Sequence, residues 1–130
     1  MIRALLISVG LIAVVIGGLA VFRNDSPKGA EASQQFSQVK SELESGAVMV
    51  DVRTPEEYTE AHVSGAQNIS LQQLQQGVLP QVDKSKKLYV YCRSGSRSAQ
   101  AAKILTDKGY KVEDLGAMTS VAAMGATIVQ

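Results

Sequence analysis

Hydrophobic and polar positions divide this chain into one long apolar stretch followed by several short ones. Positions 4–22, ALLISVGLIAVVIGGLAVF, carry nineteen uncharged residues between Arg3 and Arg23. In a helix these rise about 1.5 Å each, roughly 28 Å in all, close to the hydrocarbon thickness of a bilayer. A soluble domain this small has no means of enclosing a helix that is apolar on every side. Residues 1–23 are therefore expected to be a signal anchor or a signal peptide. Gly18-Leu19-Ala20 supplies the small residues a cleavage site needs, whereas an uncleaved anchor needs only the length. The anchor is slightly favoured. Flanking charge barely decides orientation, since Arg3 is opposed by Arg23 and Lys28, but placement at the very start favours export of the rest. The expected location is periplasmic or extracytoplasmic, held to the inner (cytoplasmic) membrane by residues 4–22, with a cleaved soluble form as the other outcome.

After that stretch the periodicity changes. Residues 24–33, NDSPKGAEAS, are small and polar and are expected to form a linker. Residues 34–130 are expected to form one domain. Phe36, Val39 and Leu43 recur at helical spacing, which predicts a short amphipathic helix ending near Gly46. The run VMVDV at 48–52 is β-branched and apolar, as in a buried strand. Thr54, Pro55 and Glu57 then mark a helix start, with Thr54 as cap, Pro55 in first position and Glu57 as the acid of a capping box. Residues 67–70 predict a brief strand. Ser70 is placed to cap a polar helix through Gln76, with Leu71 and Leu74 facing inward.

LYVYC at 88–92 predicts a second strongly apolar strand. A helix is expected over 98–108, with Ala101, Ala102, Ile104 and Leu105 available for packing and Gly109 as its stop. A last strand over 111–115 and a last helix over 118–124 complete the pattern. Strands and helices alternating at this spacing predict an α/β domain, a parallel sheet with helices on both faces.

Length and composition narrow the function classes. A chain of 130 residues holds one small domain rather than two. A net charge of +1 lacks the basic stripe of a nucleic-acid binder. There is one cysteine and one histidine, so no intramolecular disulfide forms and no zinc site of the usual kind is expected. No cofactor is expected.

Chemistry concentrates at that cysteine. Cys92 closes a predicted strand and opens the loop Arg93-Ser94-Gly95-Ser96-Arg97, which leads into a helix. Ligands of open parallel sheets bind beyond the carboxyl ends of strands, and that is where the sulfur falls. Small loop residues leave backbone N–H groups free to converge, and a helix start adds unpaired donors and partial positive charge. Two arginines reinforce the site's preference for an anion. Such surroundings lower a thiol pKa, and the thiolate is the nucleophilic species. They stabilise a persulfide anion equally well. An inert strand-end thiol is the plain alternative, but packing alone explains poorly a glycine, two serines and two arginines at this junction.

DVRTPEEYTEAHVSGAQNI (51–69) and VYCRSGSRSAQAAKILTDKGY (90–110) resemble the two signature stretches of the rhodanese family, and the likeness covers roughly 36–118. The single-domain, exported architecture is similar to that of the small periplasmic rhodaneses of the bacterial phage-shock response. The resemblance implies a three-layer α/β fold around a mainly parallel five-stranded sheet. It implies sulfurtransfer through a persulfide, with Cys92 as nucleophile and residues 92–97 as the active-site loop. The amides of Arg93, Ser94, Gly95, Ser96 and Arg97 would bind the anionic part of a sulfur donor, and the two arginines would add charge. Asp51, Arg53, Glu57 and His62 would give structural support, Asp51 as a loop-holding acceptor and Arg53 as partner of Glu57. His62 is expected to pack and hydrogen-bond rather than act as a base. Lys84, Lys86 and Lys87 are expected to form a solvated turn. Where many single-domain rhodaneses have a Gly-Gly pair and a tryptophan near the last helix, this chain has Gly116-Ala117 and no tryptophan.

The expected reaction moves sulfane sulfur from thiosulfate or a persulfide donor to cyanide, a small thiol or a protein thiol, in two steps. It requires an ionised Cys92 that solvent can reach. Phosphatase or arsenate-reductase chemistry is the nearest rival, but those loops place five residues between cysteine and arginine, against four between Cys92 and Arg97. A rhodanese-like module used only for binding is the second rival. Such modules usually lose the cysteine or the small loop residues that this chain keeps.

Overall fold

A computed structural model describes residues 28–130, so the apolar stretch 4–22 and the proposed anchor or signal peptide lie outside the described residues. Among the described residues no helix is long and apolar enough to cross a membrane.

The first helix, α1 (Lys28–Glu44), buries Val39 and half-buries Phe36 and Leu43, the three residues whose spacing predicts it. It begins earlier than expected, so positions 28–33 of the anticipated linker are helical. Gly46, at φ 110°, turns the chain into β1 (Val48–Asp51). α2 (Pro55–Glu60) follows with its capping box complete: Thr54 accepts from the Glu57 amide while the Glu57 side chain accepts from the Thr54 amide. After β2 (His62–Val63) and β3 (Gln67–Asn68), Ser70 and Gln73 form a second capping box on α3 (Leu71–Gln75). β4 (Lys87–Cys92), α4 (Ser96–Asp107), β5 (Lys111–Ala117), α5 (Met118–Ala123) and β6 (Ile128–Val129) complete the order.

The main sheet has four strands in the order β3-β1-β4-β5, all parallel. Alternation along β1 and β4 sorts the core into two layers. Val50, Leu88, Val90 and Cys92 face α3 and α4, joined by Leu74, Ala101 and Leu105. Met49, Tyr89 and Tyr91 face the opposite side, with Val39, Val63, Leu115 and Val121. Helices therefore cover both faces, as predicted.

The five-stranded sheet implied by the resemblance is corrected to four strands among the described residues. The strand signals in the sequence fall at 48–52, 67–70, 88–92 and 111–115, and these give the four strands of that sheet. The remaining extended segments, β2 and β6, are two residues long and pair antiparallel with each other as a separate ribbon.

Candidate active-site loop

The carboxyl end of β4 and the amino end of α4 meet at Cys92. Gly95 is the N-cap of α4 and sits at φ 97°, a left-handed conformation that a side chain at this position would strain. That turn starts α4 at Ser96, two residues before the predicted start, and folds the Gly95 amide back to donate to Cys92 Sγ at 3.0 Å. No side chain caps this helix, so its amides stay available to the sulfur.

Ser98 is the functional candidate that sequence reasoning missed. It is fully buried in the first turn of α4, with Oγ 3.5 Å from Cys92 Sγ and 3.0 Å from the Gly95 carbonyl. Helical side chains lean toward the helix start, so a small hydroxyl in the first turn is aimed back at whatever the loop encloses. That signal was present in the sequence. The one hydroxyl proton of Ser98 serves Gly95 O when Cys92 is a thiol and Sγ when it is a thiolate.

Burial pushes the Cys92 thiol up. Hydrogen bonds from the Ser98 hydroxyl and from the Ser98, Gly95 and Ser94 amides outweigh it, and the net shift is downward. The expected acidification is therefore present, and its source is backbone amides and one hydroxyl more than guanidinium groups. The expectation of a sulfur open to solvent is corrected. Cys92 is 0 % exposed, because the loop folds the Gly95 amide over Sγ and Ser98 closes the far side.

The two loop arginines diverge. Arg93 is exposed and lines a cleft of about 290 Å³ with Arg53, Glu57, Glu60, Met118 and Thr119. Arg97 reaches across to Glu57 in a two-pronged ion pair, Nη1–Oε1 2.7 Å and Nη2–Oε2 3.0 Å. It also lines a second cleft, of about 390 Å³, whose other walls include Thr54, Glu56, Ser70 and Gln72. Cys92 lines neither cleft. Hydrogen bonding to Arg97 holds the Glu57 carboxyl down at about 2. Ser94 and Ser96 are exposed on the rim.

Arg53 does not pair with Glu57, which corrects that expectation. Its guanidinium binds Asp51 instead, Nη2–Oδ2 2.6 Å and Nε–Oδ1 3.0 Å, and both residues are buried. Two positions along an extended chain return to the same side, which puts Asp51 within reach and leaves Glu57 free for Arg97. Asp51 also accepts from the Arg53 amide at 2.9 Å and the Tyr91 hydroxyl at 2.7 Å. Arg53 Nη2 donates onward to the Ala61 carbonyl at 2.6 Å, and the Asn68 amide ties down the carbonyls of Asp51 and Arg53. The end of β1 is thus fastened to the end of α2, which fixes where Glu57 projects.

His62 hydrogen-bonds through Nδ1 to the Tyr58 carbonyl at 2.9 Å and stacks on the Tyr58 ring. These contacts are packing contacts. Lys87 begins β4, at the opposite end from Cys92, where it pairs with Glu42 and Glu113. Gly116, from the pair that departs from the family's pattern, lies against Gly95: a methyl added to Gly95 would meet Gly116 Cα at 3.7 Å. Among the described residues no group of three or more His, Cys, Asp or Glu side chains is gathered to hold a metal ion.

Residues 35–118 match the Rhodanese-like domain family. The chain belongs to that family. Among its relatives is the thiosulfate sulfurtransferase PspE of Escherichia coli, 41% identical over 75 residues, which are 56% of this chain and 72% of that protein. The thiosulfate sulfurtransferase GlpE of Coxiella burnetii is 36% identical over 64 residues, 49% of this chain and 59% of the relative. The chain thus spans less than two thirds of several curated relatives. Among solved structures, a rhodanese with anions from E. coli superposes with a TM-score of 0.58 at 36% identity, covering 65% of this chain and 99% of that one. In this rhodanese domain the family match ends at residue 118, the first residue of α5.

Proposed function

We propose that this rhodanese domain is a sulfurtransferase that carries sulfane sulfur as a persulfide on Cys92. The observation that carries this reading is the set of donors on one sulfur: the Ser94, Gly95 and Ser98 amides and the Ser98 hydroxyl, which together lower its pKa. Relatives named thiosulfate sulfurtransferases support the reaction class.

In the first step the Cys92 thiolate attacks the sulfane sulfur of thiosulfate or a persulfide. A new S–S bond forms, the donor's S–S bond breaks, and the electron pair leaves with sulfite or a thiolate. In the second step an acceptor, cyanide or a small or protein thiolate, attacks the outer sulfur and the pair returns to Cys92. No outside oxidant or reductant is consumed. Amides of residues 93–97 hold the negative charge as it moves outward by one bond, with the Arg93 and Arg97 side chains at the rim. Because Cys92 is enclosed, a donor gains access only when Gly95 and the rim residues part from the sulfur. The apolar stretch 4–22 would hold the domain at the outer face of the inner membrane, or serve as its export signal.

A binding-only role is favoured by one observation, the enclosure of Cys92. Intact mass of the full chain before and after thiosulfate separates the two. Sulfurtransfer predicts a gain of one sulfur atom that cyanide removes and that Cys92→Ser never shows. An unmodified wild-type protein would favour the binding role and contradict the proposal.

A further inference from the structure

The side-chain charges around the loop nearly cancel, which is unexpected for a site whose donor is a dianion. Three arginines, Arg53, Arg93 and Arg97, border the two clefts. Against them stand Asp51, bound to Arg53, Glu57, bound to Arg97, and the carboxylates Glu56 and Glu60 in the cleft walls. Attraction for an anion is thus left to the amides at the start of α4.

Glu57 is the residue on which this cancellation turns. It is half-buried, as is Arg97, and stands between the clefts, touching one through itself and the other through its partner. Its capping role does not require its charge. The same chain caps α3 with Ser70 and Gln73, a neutral side chain in the equivalent position, and the geometry is the same. The capping box thus forms without a charge in this position, and the ion pair that the Glu57 carboxylate makes is to Arg97.

We infer that Glu57 is a positioning and specificity-determining residue, which holds Arg97 neutralised at the loop rim and so favours sulfane donors of low negative charge over dianionic thiosulfate. The inference rests on the sulfurtransferase reading above. It makes the preferred donor class a monoanionic one, such as an organic persulfide or thiosulfonate. Aryl thiosulfonate is a suitable probe. The Cys92 thiolate takes its outer sulfur, the S–S bond breaks, and the pair leaves with the sulfinate.

The test compares kcat/KM for thiosulfate and benzenethiosulfonate in the full chain in detergent, for wild type, Glu57→Gln and Glu57→Asp. Glu57→Gln keeps the capping box and removes the charge. It is expected to raise kcat/KM for thiosulfate about tenfold, chiefly through KM, and that for benzenethiosulfonate by about threefold, since a unit charge acts twice as strongly on a dianion. Glu57→Asp, which keeps the charge, is expected to keep the wild-type ratio. A purely structural role would shift both donors alike, and equal shifts would overturn the inference. A second measurement needs no variant. In wild type the donor ratio is expected to stay nearly flat as ionic strength rises from about 0.05 to 0.5 M, because the rim charges already cancel. A steep, selective loss of thiosulfate activity would overturn the inference. If wild type forms no persulfide with either donor, the sulfurtransferase reading fails first; if it does and the ratio does not move, the inference alone fails.

Discussion

Two carboxylate–guanidinium pairs stand near the same loop, and they differ in nearly everything but chemistry. Asp51–Arg53 joins residues two apart, is almost wholly buried, and is held further by the Tyr91 hydroxyl, the Ala61 carbonyl and the Arg53 amide. Glu57–Arg97 joins residues forty apart and leaves 24 % of the Glu57 side chain and 30 % of the Arg97 side chain exposed. The buried pair is part of the frame, because removing one partner strands a charge in the interior. The outer pair sits where water screens it, contributes little to folding and sets the charge that an approaching donor meets. Similar groups thus do different work according to burial, and each variant below should move one pair's property without the other's.

The largest effect lies outside both pairs and shows that they are support rather than chemistry. Cys92→Ser should abolish sulfur transfer from thiosulfate to cyanide, read as thiocyanate formation, while leaving the thermal midpoint close to wild type. Asp51→Ala comes next. It leaves Arg53 buried without its carboxylate and should cost about 3–5 kcal/mol in urea unfolding. A loss below about 1 kcal/mol would show that the frame pair is no frame. The outer pair should couple far more weakly, by about 0.2–1 kcal/mol in a double-mutant cycle of Glu57→Gln and Arg97→Gln. Arg97→Ala alone should raise KM for thiosulfate and raise the Cys92 pKa, since it exposes an uncompensated Glu57 beside the loop.

The smallest effect is in acid. The folded pKa of Glu57 is about 2, below the usual 4.5 of a glutamate, so its contribution to stability is fully present above about pH 4.5. It is lost as pH falls through the folded value, when Glu57 is protonated and the ion pair ends. The acid limb of unfolding should therefore flatten for Glu57→Gln between those limits, and an unchanged limb would remove the pair from the stability of the fold.

How much of this was legible in the sequence follows from the range of each interaction. Local signals held: the Thr54–Glu57 capping box, the Ser70 cap, the strand runs at 48–52 and 88–92, and the helix stripe of Phe36, Val39 and Leu43 are visible within a few residues. The location of Cys92 at a strand's carboxyl end was legible for the same reason. Partner choice was not. Arg53 had Asp51 two residues away and Glu57 four away, and only the course of the chain decides between them. The Glu57–Arg97 pair spans forty residues and carries no local mark. The β2–β6 ribbon is built from two-residue strands, too short to show a period, so it left no signal in the sequence. Enclosure of the sulfur rests on the left-handed turn at Gly95 together with Ser98, which a pattern of polar and apolar positions does not register.

Main-chain amides and one hydroxyl lower the pKa of the Cys92 thiol beneath its loop. The rate of iodoacetamide alkylation of the folded full chain, followed by intact mass from acid to alkaline pH, tests it directly. The prediction is a single titration centred below that of an ordinary thiol and modification of the native protein at neutral pH. A midpoint at or above the ordinary thiol value, or no modification until the protein is unfolded, would contradict it.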